Sequence, residues 1–284
     1  MKSPVALPGR NGLAIVVIFK DEAPYIEEWA QFHLDAGAAM IIGYDNGSVD
    51  GTADILCKVA GGRCKILPWV QTVYAGSGQQ ELHNQVLAYV HAASNFGGAY
   101  RWISFIDVDE FLVPTKDDSI PAALAHLDGV QNISLPWHMF GRGNHEQMPD
   151  VGTARGFTER HAHPGSGARG VCNFKSIADP CALTSIAVHA LEVGGKAEAA
   201  NDKGVVFANK HRRKPEFYSN DRLQLNHYYT RSAADLQVKI DRGLFLSAKL
   251  AKHGQRILKI VDQIESDTVQ DRAALDFLNR MRGA

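Results

Sequence analysis

Apolar and polar residues alternate in blocks through the first 113 positions, and the blocks have the lengths of strands and helices. Leu13 to Phe19 (LAIVVIF) is an unbroken apolar run, the pattern of a strand covered on both faces. Pro24 suits the first turn of a helix, where its missing N–H has no partner to lose. Tyr25, Ile26, Trp29, Phe32 and His33 then recur at helical spacing, and Gly37 offers a C-cap. A second apolar run, Met40 to Tyr44, breaks at Asp45-Asn46-Gly47-Ser48, and Ser48 or Asp50 can cap a helix carrying Ile55, Leu56 and Val59. Lys65 to Val70 reads as a third strand, Gln79 to Ala93 as a helix and Trp102 to Ile106 as a short β-rich strand. This alternation predicts right-handed βαβ units, hence an α/β fold with a mostly parallel sheet flanked by helices.

Beyond Pro114 the pattern loosens. A helix is expected from Ser119 to Leu127 and a strand from Ile133 to Trp137. Phe140 to Asn173 is rich in Gly, His and Arg with little periodicity, which points to a functional loop region. Ser185 to His189 and Val205 to Phe207 read as short strands. From Ser232, an N-cap, the chain turns helical with Leu236, Ile240 and Leu244 on one stripe. The remaining residues form two amphipathic helices. The expected organisation is an α/β domain over 1–243 and a helical extension over 244–284. Packing of that extension on the sheet is preferred over a dimer face or a membrane surface.

Charge and cysteines narrow the partners. The chain of 284 residues carries 30 Lys and Arg against 31 Asp and Glu, so no global field recruits nucleic acid or an anionic membrane. A phosphate-bearing small molecule needs only a local site. Cys57, Cys64, Cys172 and Cys181 show neither CxxC nor zinc-ligand spacing and read as buried thiols of an intracellular protein, with a Cys172–Cys181 pairing left open. The N-terminus lacks a signal-type apolar region, and no stretch approaches the roughly 20 apolar residues of a membrane span. The expected location is cytoplasmic, with peripheral membrane contact open.

The chemistry concentrates at strand ends. Ligands of parallel sheets bind beyond the carboxyl ends of the strands. Three polar clusters fall there: Lys20-Asp21-Glu22, Asp45-Asn46 and Asp107-Val108-Asp109. Two carboxylates at i and i+2, leaving a buried strand, can aim at one hard cation and the phosphates it carries. The alternative is a solvated acidic turn. Apolar residues on both sides of the acids weigh against it, because burying unpaired acids is expensive.

At these residues the chain resembles the nucleotide-sugar glycosyltransferases of the GT-A fold, most of all the branch grouped with families 2 and 92. Phe19-Lys20-Asp21-Glu22 with Trp29 and His33 is similar to a KNE…EW…H opening, with Asp21 where Asn is usual. Tyr44 to Thr52 is similar to the DDGSxDGT nucleotide-binding turn, with Asn46 replacing the second Asp. Ile106-Asp107-Val108-Asp109-Glu110-Phe111 looks like the DxD metal motif with its EF tail. Trp137 with Phe140-Gly141, Lys175-Ser176-Ile177 and Asn226 to Ser232 match further on, so the likeness covers roughly residues 13 to 243.

The resemblance implies a metal-dependent, inverting transfer of a sugar from a nucleotide sugar, expected to be UDP-linked, to a glycan or glycolipid hydroxyl. Lys20, Glu22, Asp45 and Asn46 would meet the base and ribose. Asp107 and Asp109 would hold Mn²⁺ or Mg²⁺ against the diphosphate, with His227, or its competitor His189, completing the metal site. Lys175 would bind the diphosphate or stand solvated. Glu192, Glu146 and Asp150 are alternative general bases, with none singled out. Trp137, His138, Phe140 and His145 are candidates for the acceptor sugar, against a packed strand end. Competing readings are a non-catalytic sugar-nucleotide-binding protein and a sugar nucleotidyltransferase. The latter lacks its usual Gly-rich basic loop here, since Lys20-Asp21-Glu22-Ala23-Pro24 follows the first strand.

Overall fold

A computed structural model describes residues 1–75, 80–166, 170–244 and 251–283. β1 (Leu13–Phe19) lies inside a ten-stranded sheet, parallel to β2 (Ala38–Asp45) on one side and to Trp102–Phe105 on the other. β3 (Cys64–Pro68) extends the parallel part beyond β2. On the opposite side the sheet becomes mixed. Phe174–Ala178 runs antiparallel to both Trp102–Phe105 and Asn132–Met139. Leu223–His227 lies parallel to Asn132–Met139 and antiparallel to Glu110–Pro114. Glu198–Ala200 and Val206–Ala208 finish the far edge.

The unbroken apolar run of β1 has a direct cause: both of its faces are covered. Leu13, Ile15, Val17 and Phe19 enter one core with α1 (Ala23–Asp35) and α2 (Thr52–Ala60), through Ile26, Trp29, Phe32 and Leu56. Ala14 and Val16 enter the other, with Ala88, Tyr89 and Ala92 of α3 (Asn84–Phe96). Every one of these side chains is at most 3% exposed, so a single polar substitution on either face meets an apolar layer.

Several elements differ from expectation. α3 starts at Asn84, not at Gln79, which lies outside the described residues. The N–H of Leu82 donates to Val73 O at 2.7 Å and holds the preceding segment extended. α4 (Ile120–Leu124) is short, capped by Ser119, whose hydroxyl accepts the Ala122 N–H. Glu110–Pro114, Phe174–Ala178 and Leu223–His227 are strands that periodicity did not reveal, because they are short and buried throughout. The loop region after Phe140 contains the one-turn α5 (Thr153–Gly156) and a strand, Glu159–His161.

The C-terminal part is helical, as expected. It comprises α6 (Ala233–Leu244), α7 (Ala251–Glu265) and α8 (Ala273–Gly283). The side chain of Leu244 lies outside the described residues. Ile260 and Ile264 of α7 and Phe277 of α8 join the same core as β1, and the Phe277 ring sits 5.4 Å from that of Phe32. Thr268–Gln270, between α7 and α8, pairs with Glu159–His161. The extension is thus stitched into the domain by core and sheet. All four cysteines are free thiols, but against expectation only Cys172 is buried, Cys64 and Cys181 being partly covered and Cys57 exposed on α2. No helix among the described residues is long and apolar enough to cross a membrane.

Candidate active site

A cavity of about 760 Å³ opens at the carboxyl ends of β1, β2 and Trp102–Phe105. Its floor includes Lys20, Asp21, Glu22, Asn46, Asp107 and Asp109, and α3 contributes Asn84 and Gln85. Its roof comes from far along the chain: Tyr229, Arg231, Asp235 and Lys239. Polar strand ends that are remote in sequence therefore share one hollow with the start of α6.

The first two loops are bolted together. The Asp21 N–H donates to Ser48 Oγ at 3.1 Å, and the Val49 N–H donates to Asp21 Oδ1 at 2.9 Å. Glu22 N–H donates to Thr52 Oγ1 at 2.8 Å, and Asp50 Oδ2 accepts from Ala23 N–H at 2.9 Å. These bonds hold Asp21 at φ 53°, a left-handed conformation uncommon outside glycine. The only other described non-glycine residue with positive φ is Arg231, at 50° across the cavity. Such outliers persist where surrounding bonds over-determine the backbone, a frequent property of functional sites. Asp45 does not line the cavity. Its Oδ1 accepts the Ser48 N–H at 2.8 Å and closes the Asx turn, which leaves Asn46 to face the hollow.

Asp107 to Glu110 form a tight reversal between two strands. The Glu110 N–H donates to Asp107 O at 3.0 Å, and the Asp107 N–H donates to Glu110 Oε2 at 2.8 Å. The Asp107 carboxylate accepts from Gln85 Nε2 at 2.6 Å and from Lys175 Nζ at 2.9 Å. Lys175 also lies 3.3 Å from Glu110 Oε2 and is 1% exposed. This differs from the expected diphosphate or solvated position: the ammonium is buried under the acidic turn, where it offsets two carboxylates. Burial alone would push Lys175 toward its neutral form, but Asp107 and Glu110 outweigh it and raise its pKa well above the ordinary value. Burial, reinforced by Asp107 and opposed by Lys175, raises Glu110 to about 7. Glu110 Oε1 also accepts from Trp137 Nε1 at 2.6 Å.

Asp109 is turned toward the C-terminal elements. Its Oδ2 lies 3.3 Å from His227 Nε2 and 3.5 Å from Lys239 Nζ. Burial would raise its pKa, but His227, Lys239 and Arg231 together hold it far below the usual carboxylate range. His227 ends the strand Leu223–His227, packs on the Trp137 ring at 4.4 Å, and keeps a buried Nδ1 with no hydrogen-bond partner among the described residues. His189 hydrogen-bonds Phe174 O through Nδ1 at 3.1 Å, and burial beside Lys175 lowers its pKa to about 4. It does not line the cavity.

The donor chemistry at Asp109 and His227 fits a divalent cation. Adjacent ligands of an octahedral ion bound at about 2.1 Å stand about 3 Å apart, and Asp109 Oδ2 and His227 Nε2 are separated by 3.3 Å. Among the described residues no three His, Cys, Asp or Glu side chains converge on one point, so an ion held by this pair would need its remaining ligands from elsewhere.

The other expected residues lie elsewhere. None of Glu192, Glu146 and Asp150 lines the cavity. Glu192 is in the hairpin of Leu183–Ala187 with Ala190–Val193, Glu146 is exposed, and Asp150 lines a groove against α1 and α8. His138 and Phe140 are buried at 3% and 1% exposure, because alternation along Asn132–Met139 turns His138 away from Trp137. Burial beside Arg160 lowers the His138 pKa to about 3. His145 hydrogen-bonds Gly156 O and packs on Phe157. Trp137 sits beneath the site, holding Glu110 and His227. Gln85, Glu110, Tyr229, Arg231 and Lys239 went unassigned on sequence. Glu110 lay in the EF tail and Tyr229 and Arg231 in the Asn226 to Ser232 match without a role, while Gln85 and Lys239 carried no signal, since their convergence is tertiary.

Residues 15–242 match the family model described as glycosyltransferase family 92. A family 92 glycosyltransferase protein of Ricinus communis is 26% identical over 222 residues, covering 72% of this chain and 37% of its own length. One from Arabidopsis thaliana is 26% identical over 191 residues, covering 62% of this chain and 30% of its own. The chain thus spans about a third of these curated relatives. Among solved structures, glucosyl-3-phosphoglycerate synthase from Mycobacterium tuberculosis with Mn²⁺, UDP and glucosyl-3-phosphoglycerate aligns over 63% of this chain and 60% of its own, at 18% identity. Its TM-score is 0.35, too low to carry an argument.

Proposed function

Because the chain belongs to glycosyltransferase family 92, we propose that it transfers a sugar from a nucleotide sugar, UDP-linked and with inversion, to a glycan or glycolipid hydroxyl. The observation that carries this reading is the acidic turn Asp107–Asp109 sharing one cavity at the strand ends with Arg231 and Lys239, while buried His227, outside the cavity lining, meets Asp109 at 3.3 Å.

The chain's own residues divide the task. Lys20, Glu22 and Asn46 line the end suited to base and ribose, with Asp45 bracing the turn from behind. Arg231 donates to Glu22 Oε2 at 3.1 Å, and its guanidinium lies 3.5 Å over the Tyr25 ring. Stacking and ion pair hold the guanidinium at the cavity beforehand, so less side-chain freedom is lost when a phosphate-bearing ligand binds. Asp109 and His227 would hold Mn²⁺ or Mg²⁺, which when bound neutralises charge on the departing nucleoside diphosphate. Lys175 and Gln85 fix Asp107, so the turn is set before the donor arrives. With Glu192, Glu146 and Asp150 outside the cavity, no one of them is assigned the acceptor's proton.

Calorimetric titration of UDP with and without Mn²⁺, repeated on Asp109→Ala, tests the reading. Manganese-dependent binding that disappears in the variant is expected. Silence toward UDP, GDP and CDP alike would overturn it.

A further inference from the structure

Lys239 is placed where a metal-binding carboxylate should be open. Its Nζ lies 3.5 Å from Asp109 Oδ2, the same oxygen that His227 Nε2 approaches at 3.3 Å. The ammonium is not a loose surface charge. It donates to Tyr229 O at 2.8 Å and lies 3.7 Å over the Tyr229 ring, so three contacts fix it. Its mount is equally firm. One turn earlier on α6, Asp235 accepts from Ser232 N–H at 3.1 Å and Ser232 Oγ at 2.6 Å, and also from the Tyr25 hydroxyl. Asp235 and Lys239, neighbours at i and i+4 on one helix face, both line the cavity.

Resting on the reading above, we propose that Lys239 is a built-in counter-ion. It occupies Asp109 in the donor-free protein, yields that carboxylate to the divalent cation, and then binds the donor's diphosphate. An ammonium and a divalent cation cannot share one carboxylate oxygen without strong repulsion at this distance. The displaced ammonium remains in the cavity beside Arg231, and a diphosphate is the anion that removes the repulsion. Lys239 therefore opposes the metal alone and favours metal and nucleotide together. This couples the two ligands and keeps the acidic turn neutral between turnovers.

Opposite effects on two ligands are the signature, since a merely structural loss would weaken both. Mn²⁺ alone, and UDP at saturating Mn²⁺, are titrated by calorimetry into the wild-type chain, Lys239→Met and Lys239→Arg. Lys239→Met is expected to bind Mn²⁺ roughly tenfold tighter and UDP roughly tenfold weaker, each about 1.4 kcal/mol. Lys239→Arg keeps the cation and is expected to stay near wild type for UDP. Unchanged or weaker Mn²⁺ binding by Lys239→Met overturns the proposal, and if wild-type UDP binding still needs Mn²⁺ the nucleotide-sugar reading stands. Absence of UDP binding to the wild type overturns that reading and the diphosphate half of this one. The Mn²⁺ titration then still decides the competition.

Discussion

Replacing Lys175 by Met removes the ammonium that lies under the acidic turn between Asp107 and Glu110. Asp107 is 35% exposed and can be resolvated, but Glu110 is fully buried and cannot. Breaking a buried ion pair from one side typically costs 3–5 kcal/mol, so a loss of about 4 kcal/mol is expected at pH 8.5. The sign of the pH dependence follows from Glu110. Its folded pKa is raised from 4.5 to about 7, chiefly by burial, so the folded state favours the protonated form. A raised carboxyl contributes stability that is complete below 4.5 and disappears as the pH passes about 7. Without Lys175 the carboxyl rises further, so protonation at pH 5.5 relieves most of the unpaired charge. The variant should then lose about 1–2 kcal/mol there, against about 4 at pH 8.5. Urea denaturation followed by circular dichroism at both pH values gives the two losses. The double variant Lys175→Met with Glu110→Gln keeps an amide oxygen for Trp137 Nε1 and should recover much of the loss at pH 8.5. Equal losses at both pH values, with no recovery in the double variant, would refute the reasoning and leave side-chain packing as the cause.

Two further outcomes are expected. His227→Ala should abolish Mn²⁺ binding measured by calorimetry, whereas His189→Ala, whose Nδ1 is held on Phe174 O, should leave it within about twofold; the reverse pattern would move the metal to His189. Phe277→Ala should cost about 3–5 kcal/mol of stability by denaturant titration, because the ring is fully buried against Phe32; a loss under about 1 kcal/mol would mean that α8 docks without supporting the core.

Periodicity alone determined β1, α1, β2, α2 and β3. β1 is apolar at every position because helices cover both its faces, and α1 and α2 present their apolar stripes to that strand. The same local logic located Asp107 and Asp109, since acids directly after a buried strand leave few alternatives to a ligand-facing turn. It did not separate the two acids. Asp107 is tied to Lys175 and Gln85, while Asp109 looks toward His227 and Lys239, and that division depends on which strands flank the turn. The sheet brings Phe174–Ala178 beneath the turn, and with it Lys175. Pairing of Leu223–His227 with Glu110–Pro114 places His227 opposite Glu110, next to Asp109. Arg231, just before α6, and Lys239, on it, then arrive more than a hundred residues after the acids they meet. Sequence patterns report what a residue does within its own strand or helix, where the period is 2 or 3.6. Which cation faces which carboxylate is set by strand order and helix docking, and these long-range contacts leave no period in the chain.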